Sequence, residues 1–446
     1  MREKRKYGKG QGEAGAPVKS GIRKRWPYWI LCSALLFGIL GCTGCGAAKE
    51  TVLQEGQIQK DNGGSLKFSI WSDEESYVRE VVDAYNALKG KEEILLEVIP
   101  NSEHEEWICN YSDNYGTDII GLRGNTQLLQ FQQQGKLVEL SHFIQKSGLD
   151  IRNYGTMVNE ITRGGEYYAL PTRSTCWVLY YNRTLFEKMK VPEPGQMTWE
   201  EYLELAISMT SQEEGIWGGY YPPWIYHISA IQRGYYLLDD DLEPIRESME
   251  LVQQIFGSES HKPFDEVKDR GDYCRQDFES GNIAMIICGE WLANMFLEDT
   301  AEGIDVPEWG IAPLPVPEGV EPNTSIGMYQ FAGITSVCKD PDRAYEFLEF
   351  LCGSQGAQIY ARNAIIPGYS NSDIQEIYME AVGTEQARVF FDSRRIQEQP
   401  MWNGYDKLTD LFKTDAASLL EGECDLDQMM EIFEEQRKEV FCGNAQ

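Results

Sequence analysis

Apolar residues follow two periods in the first part of the chain body. Residues 65–71 (SLKFSIW) alternate apolar and polar positions, which predicts a strand with one buried face. Residues 78–88 repeat apolar side chains at helical spacing and predict an amphipathic helix. The continuous apolar run 94–99 predicts a strand buried on both faces, and residues 118–120 predict a third short strand. Strands that alternate with helices in this way indicate a parallel α/β sheet.

Residues 165–210 contain several predicted elements in close succession. The β-branched and aromatic run 175–182 (TCWVLYYN) predicts a strand, and residues 183–189 continue at helical spacing. Thr198 and Glu201 have the spacing of a capping box, which predicts a helix that begins at Trp199. Further along, residues 278–291 (FESGNIAMIICGEW) predict a short strand that ends at a Gly-x-Trp turn.

These stretches resemble family 1 extracellular solute-binding proteins, the sugar-capturing lipoproteins of ABC importers, to which the periplasmic maltose-binding protein is distantly related. The resemblance extends from Leu66 to Val440. It implies a two-lobed α/β fold of the type II periplasmic-binding-protein kind, with a ligand cleft between the lobes. The implied first lobe comprises residues 65–172 and 312–362, and the second comprises residues 173–311 and 363–446. The implied crossovers lie near Arg173, Ile311 and Asn363.

The N-terminus has the features of an export signal. Basic residues at 23–25 precede an apolar run of 12 residues, 29–40, which is too short to span a bilayer comfortably. Ile39-Leu40-Gly41-Cys42 resembles a lipobox, which implies that residues 1–41 are a signal peptide and that Cys42 carries the lipid, including palmitate. Cys45 is the alternative lipid site, and an uncleaved anchor is a second alternative. Residues 42–64 are a predicted flexible tether. We therefore expect a lipid-anchored protein on the extracellular face of a bacterial, Gram-positive membrane.

The net charge limits which partners the protein can bind, and the cysteine spacing indicates the state of its thiols. The formal net charge is −31, and residues 1–41 are basic, so the rest of the chain is more acidic still. Nucleic acid is therefore excluded as a partner, because it requires basic contacts. The eleven cysteines show no tight repeating spacing, and we expect mostly free thiols. The partners expected instead are a small carbohydrate, the membrane through the lipid, and ABC permease subunits, with the protein itself a monomer.

The sequence gives no positive sign of catalysis. G-x-S-x-G, H-E-x-x-H and the phosphate-binding glycine motifs are missing from it, and the four histidines have no metal-ligand spacing. We therefore expect no enzyme, no cofactor and no metal. A surface glycan hydrolase or lyase remains an alternative, because two placed carboxylates suffice for glycoside hydrolysis. The same fold binding a peptide or an anion is a weaker alternative. The aromatic density of the chain disfavours an anion, which would need arginines and helix N-termini.

A sugar site needs aromatic rings against the apolar sugar face and polar side chains around its hydroxyl rim. Trp291, in Gly289-Glu290-Trp291, matches the Gly-x-Trp turn whose tryptophan stacks on sugar in the family. Trp71 ends the first predicted strand, at the edge of a parallel sheet where ligands bind. Packing in the core is the competing interpretation of every tryptophan. The predicted ligand-binding residues are Trp71, Asp73, Glu74, Asn125, Trp177, Trp224, Glu290, Trp291, Tyr329 and Trp402.

Overall fold

The computed structural model describes residues 64–109, 116–159, 161–162, 164–268 and 275–444. The predicted signal peptide, the lipid site at Cys42 and the tether up to residue 63 lie outside these residues. No helix in the described part of the chain is long and apolar enough to span a bilayer.

Strands and helices alternate through the described residues. The strands are β1 (Leu66–Trp71), β2 (Ile94–Ile99), β3 (Ile119–Leu122), β4 (Leu170–Ser174), β5 (Trp177–Asn182), β6 (Met285–Gly289), β7 (Trp309–Pro313), β8 (Thr324–Gly327), β9 (Tyr329–Ile334) and β10 (Arg394–Gln397). The helices are α1 (Glu75–Lys89), α2 (Asn101–Cys109), α3 (Asn125–Gln133), α4 (Ser141–Ser147), α5 (Arg183–Met189), α6 (Trp199–Ser208), α7 (Ile228–Gln232), α8 (Glu243–Gly257), α9 (Phe264–Val267), α10 (Arg275–Glu279), α11 (Trp291–Ala301), α12 (Pro341–Cys352), α13 (Ser354–Arg362), α14 (Ser372–Val382), α15 (Val389–Asp392), α16 (Tyr405–Leu420) and α17 (Leu426–Asn444).

The first lobe is built on a sheet of five strands in the order β2-β1-β3-β9-β4. β1 is parallel to β2 and β3, as the alternating pattern predicts, but β9 runs antiparallel to β3 and β4. The prediction that residues 94–99 are buried on both faces is wrong. β2 lies at the edge of the sheet and pairs only with β1, so Leu95 is 43% exposed.

The second lobe contains an antiparallel sheet of three strands, β6-β5-β7, and a parallel pair, β8-β10. β5 is the central strand, and all six of its residues are buried, as its β-branched and aromatic composition favours. The register places Trp177 opposite Gly289, so the Gly-x-Trp turn lies beside the first residue of β5.

Three crossovers connect the lobes. Each lobe has its own apolar core, and the chain passes between them at residues 174–176, 327–328 and 363–366. The second crossover differs from the one expected near Ile311, because β7 pairs with β5 and Ile326 packs in the second core. Residues 312–327 therefore belong to the second lobe in the structure.

The crossovers are joined to one another by backbone hydrogen bonds. The Thr175 amide donates to the Met328 carbonyl at 2.8 Å, and the Ser174 amide donates to the Ile366 carbonyl at 2.9 Å. Gly327 lets two of the segments approach closely, because a Cβ there would lie 2.2 Å from the Thr175 carbonyl oxygen. A larger residue at position 327 would push the two crossing segments apart.

The capping box at the start of α6 is confirmed, with Thr198 and Glu201 bonded reciprocally at 3.2 and 2.8 Å. We predict that Thr198→Ala lowers the free energy of unfolding by about 1 kcal/mol, because the backbone N–H of Glu201 loses its side-chain acceptor. Urea denaturation followed by circular dichroism measures this. Thr414→Ala, at an exposed position inside α16, is the control and should cost nothing, since alanine favours helix. Equal losses in the two variants would contradict the capping role.

Candidate functional site

A cavity of about 320 Å³ opens beside the crossovers, and residues of both lobes line it. Its size falls within the range of small-molecule sites, near the lower end. A larger hollow, of about 510 Å³, lies against α1 and α12, but none of the predicted site residues lines it. The smaller cavity is lined by Trp71, Asp73, Glu74, Tyr77, Arg173, Thr175, Trp177, Trp224, Trp291, Asn294, Met295, Met328, Gln330, Ile365 and Glu398.

Three indole rings from separate elements of the second lobe meet in the cavity wall. Trp177 begins β5, Trp224 lies in the loop before α7, and Trp291 begins α11. The ring centroids of Trp177 and Trp291 are 5.4 Å apart at 85°, and those of Trp177 and Trp224 are 6.4 Å apart at 47°. The edge-to-face packing of Trp177 and Trp291 is favourable for aromatic rings. It holds the rings together without stacking them face on face.

The Gly-x-Trp spacing has a steric cause. The Trp291 ring folds back over Gly289, and a Cβ at position 289 would lie 1.9 Å from Trp291 Cζ3. Only glycine leaves room for the ring in this orientation. The glycine therefore sets where the Trp291 indole lies in the wall.

The first lobe supplies the opposite wall from the end of β1. Trp71 is the last residue of β1, and Asp73 and Glu74 follow in the next turn. The Trp71 ring contacts the His104 ring edge-on at 5.1 Å, and the Arg123 guanidinium lies 5.1 Å from its centroid. These residues reach the cavity because the carboxyl ends of parallel strands face the cleft in open α/β sheets.

A buried guanidinium in the cavity wall joins the two lobes. Arg173, the fourth residue of β4, donates from Nη1 to Glu74 Oε1 at 3.2 Å and to the Tyr77 hydroxyl at 3.0 Å. From Nη2 it donates to Glu290 of the second lobe through a short hydrogen bond. The exposed fractions are 7% for Arg173, 3% for Glu74 and 0% for Glu290. The Cys176 amide also donates to Glu290, at 3.2 Å, so both carboxylates are held in fixed positions.

Burial changes the proton affinity of two cavity carboxyls. Burial raises the pKa of Glu74, and the Arg173 charge opposes that rise. Burial raises the pKa of Glu398 to about 7, while the hydrogen bond from the Trp177 indole lowers it and the Glu290 charge raises it further. Trp177 Nε1 donates to Glu398 Oε2 at 2.9 Å. Glu398 therefore exchanges its proton near neutral pH.

The structure brings six of the predicted ligand-binding residues to the cavity wall, and whether they bind ligand stays a prediction. The six are Trp71, Asp73, Glu74, Trp177, Trp224 and Trp291. Arg173 and Glu398 also line the cavity, although neither is among the predicted ligand-binding residues. Arg173 lies in a stretch that was assigned to the hinge, and Glu398 lies in a polar run, QEQ, that gives no sign of burial.

Four predicted residues do not line the cavity. Glu290 is fully buried and pairs with Arg173. Asn125 is fully buried, and its Nδ2 donates to the Gln399 carbonyl at 2.6 Å, so it holds the segment that carries Glu398. Tyr329 packs in the first core with its hydroxyl donating to the Tyr154 carbonyl. Trp402 packs edge-on against Phe441, with centroids 5.6 Å apart.

The described part of the chain was also compared with the requirements of a metal site and of a reactive cysteine. No group of three or more His, Cys, Asp or Glu side chains there is placed to hold a metal ion. Six cysteines, at positions 176, 288, 338, 352, 424 and 442, are free thiols. Burial raises the pKa of Cys176 and of Cys352, so neither has the lowered pKa of a reactive cysteine.

Comparison with known proteins gives a consistent result. The family model of bacterial extracellular solute-binding proteins matches residues 71–358. A sugar transporter structure from Rhizobium etli, in an open conformation, has a TM-score of 0.74 at 21% identity and covers 83% of this chain and 98% of its own. An ABC substrate-binding protein of Listeria monocytogenes, solved with cycloalternan, has a TM-score of 0.73 at 18% identity, with coverage of 84% and 98%. The sugar-binding protein MalE of Xanthomonas citri has a TM-score of 0.69 at 18% identity, and the match covers 85% of this chain and 99% of MalE.

The fold of the chain is therefore that of the two-lobed periplasmic binding proteins, as the sequence analysis expected. At these identities the structural likeness establishes the fold. The roles of the cavity residues therefore follow from the contacts of this chain and not from those of its structural neighbours.

Removal of Arg173 would leave two buried carboxylates without their cation. We predict that Arg173→Met lowers the free energy of unfolding by about 3–5 kcal/mol at pH 7.5. The loss should shrink as the pH falls, because loss of the guanidinium raises the pKa of Glu74 further, and the folded state then takes up a proton that the unfolded state does not. Urea denaturation at pH 7.5 and pH 5 measures both effects.

The control is Arg152→Met, which breaks the exposed pair of Arg152 with Asp150. Exposed pairs contribute little, so this loss should stay below about 1 kcal/mol. A loss in Arg173→Met as small as that of the control would contradict the structural role of the buried pair.

Proposed function

The chain belongs to the bacterial extracellular solute-binding proteins, and on that premise we propose that it captures a carbohydrate, an oligosaccharide, between its lobes. It delivers this ligand to the permease of an ABC importer and makes or breaks no bond itself. The observation that carries the proposal is the meeting of three indoles, Trp177, Trp224 and Trp291, with carboxylates around one cavity.

The side chains of the cavity match the surface of a pyranose. An indole covers an apolar sugar face, and carboxylates accept hydrogen bonds from hydroxyls. A buried aromatic side chain removes about 150–250 Å² from water, so at ~25 cal/mol/Å² one ring contributes several kcal/mol. Micromolar binding needs about 8 kcal/mol in total. Two indoles and two or three hydroxyl contacts suffice for that affinity.

Closure of the lobes supports capture. Trp71 and Asp73 come from the first lobe, whereas Trp177, Trp224 and Trp291 come from the second. A ligand that contacts both walls binds the closed form more tightly than the open one and shifts the population toward it. The three short crossovers are the segments about which the lobes would turn.

The comparisons support a saccharide as the ligand class. The Listeria monocytogenes protein was solved with cycloalternan, and the Rhizobium etli protein is a sugar transporter. The alternative of a surface glycan hydrolase or lyase differs in its outcome, because an enzyme would return a cleaved glycan. A peptide ligand would leave the protein without any response to sugars.

We further propose that residues 1–41 are a lipoprotein signal peptide and that Cys42 is the lipid site. A diacylglycerol and a palmitoyl chain at Cys42 would hold a monomeric protein on the extracellular face of the cell membrane, beside the permease. The acidic composition supports exposure of the protein to water and excludes nucleic acid as a partner. We propose that the membrane is that of a Gram-positive bacterium.

Sugar binding is tested by thermal unfolding of the purified protein with a panel of mono- and oligosaccharides, followed by product analysis. We expect at least one oligosaccharide to raise the Tm and to be recovered intact, because a ligand of the folded state stabilises it. Trp291→Ala should abolish the shift. The control Trp402→Ala removes a half-buried tryptophan outside the cavity and should retain it. A cleaved glycan, or no response to any sugar, would refute the proposal.

Lipid attachment is tested by labelling cells that express the chain with radioactive palmitate. We expect Cys42→Ala to lose the label and to release the protein from the membrane fraction, since the thioether requires the Cys42 thiol. Cys45→Ala is the matched control and should remain labelled. Labelling that follows Cys45 instead would move the lipid site to that residue.

A further inference from the structure

The charged groups that line the cavity are unbalanced. Asp73, Glu74 and Glu398 are carboxyl groups, and Arg173 is the one cationic side chain among the residues that line the cavity. Asp73 is exposed to solvent and Glu398 is half-buried. A neutral ligand would be enclosed by more negative than positive charge.

The Arg173 guanidinium already forms hydrogen bonds and ion pairs within the protein. It donates to Glu74, Glu290 and the Tyr77 hydroxyl, so two carboxylates share its single charge. In the part of the chain that the structure describes, neither Asp73 nor Glu398 forms an ion pair. The positive charge of Arg173 is therefore shared by two buried carboxylates, Glu74 in the cavity wall and Glu290 behind it.

The neighbouring cations are also engaged, and they do not line the cavity. Arg123 lies against the Trp71 ring and donates to Asn101. Arg395 donates to the Ser174 hydroxyl and, at 3.4 Å, to the Thr175 carbonyl. Both guanidinium groups support the walls from outside. Neither is placed to neutralise Glu398.

The remaining wall favours a cation. The faces of indole rings attract an ammonium group within about 6 Å of the ring centroid, and the attraction increases where water is excluded. Trp177, Trp224 and Trp291 line the same cavity as Glu398, and the Trp177 N–H fixes one oxygen of its carboxyl group. An ammonium group here would meet the half-buried rings of Trp224 and Trp291 and a carboxylate together, while Trp177, only 1% exposed, holds that carboxylate in place.

We propose that the ligand is an amino sugar, a saccharide with a free, protonated amine, and that the Glu398 carboxylate holds this amine beside the indoles of Trp177, Trp224 and Trp291. The inference rests on the proposed sugar-binding function and names its ligand class. Asp73, at the exposed end of the cavity, adds a second negative charge at the entrance.

Binding should then be coupled to a proton. The groups that face Glu398 are Trp177 from β5, Glu290 from the turn before α11 and Tyr405 from α16, with Asp73, Glu74 and Arg173 also lining the cavity. The pKa of Glu398 is about 7 in the empty protein, so its carboxyl is largely protonated at pH 6. An ammonium group favours the carboxylate. Binding at pH 6 should therefore release about one proton, and affinity should rise about five-fold between pH 6 and pH 7.

The test is isothermal titration calorimetry of the full-length protein in detergent with matched saccharides. Each sugar of the thermal panel is paired with its 2-amino-2-deoxy counterpart, for example cellobiose with the β-1,4 disaccharide of glucosamine. We expect the amino member to bind at least about ten-fold more tightly. Glu398→Gln should remove this preference, and Glu376→Gln, an exposed carboxylate on α14, should retain it.

A second measurement does not depend on a variant. Titrations at pH 6, where both the amine of the ligand and the Glu398 carboxyl are largely protonated before binding, are made in buffers of different ionisation enthalpy and count the protons released, which should be about one. Neutral sugars that bind as tightly as their amino counterparts would overturn the amino-sugar proposal and leave the sugar-binding function standing. A preference that survives in Glu398→Gln would overturn the assignment to Glu398. Binding of no saccharide of either kind would refute the sugar-binding function itself.

Discussion

The guanidinium of Arg173 is the interaction on which the geometry of this site depends. It is buried between a carboxylate of the first lobe, Glu74, and one of the second, Glu290. A buried charge is costly unless it is paired and hydrogen-bonded, and here the guanidinium donates from Nη1 to Glu74 and from Nη2 to Glu290. Because Glu290 immediately precedes Trp291 and Glu74 follows Trp71 by three residues, the same contact fixes both aromatic walls.

Backbone constraints at two glycines complete this arrangement. Gly289 leaves room for the Trp291 ring to fold over its Cα, and Gly327 lets the second crossover pass the Thr175 carbonyl. Neither position carries a left-handed φ, so close approach is the reason for glycine at both. The cavity wall and the crossovers therefore both depend on the lack of a side chain at a glycine. Asn125 acts in a similar way at a distance, because it holds Gln399 and thereby the segment of Glu398.

Local patterns were enough to predict the elements, and the family resemblance was enough for the fold. The residues of β1, α5 and the start of α6 match their predicted bounds closely, because their periodicity and capping are local properties. The second crossover was misplaced, since the residues of 312–327 join the second core through contacts with β5 that the sequence does not display. The burial of β2 was overestimated for a related reason, because an edge position is a property of the whole sheet.

The site shows the same division between local and distant information. Trp291 and Trp71 were found because each ends a recognisable strand or turn. Arg173 and Glu398 were missed because their significance arises from partners 99, 117 and 221 residues away along the chain. Tyr329 was an aromatic residue in a plausible position, but its hydroxyl bonds the backbone of the first lobe and its ring fills that core. Sequence identifies side chains that suit a sugar site, whereas burial and charge pairing decide which of them reach it.

The state of Glu398 links the electrostatics of the cavity to the chemistry of its ligand. A carboxylate can accept hydroxyl groups of a neutral sugar, but closure of the lobes would then remove its charge from water without supplying a cation. The carboxyl group would then remain protonated. Burial already raises its pKa and so favours the protonated form. Its neutral form donates one hydrogen bond, whereas its ionised form needs positive charge. Since Arg173 is committed to Glu74 and Glu290, that charge has to arrive with the ligand.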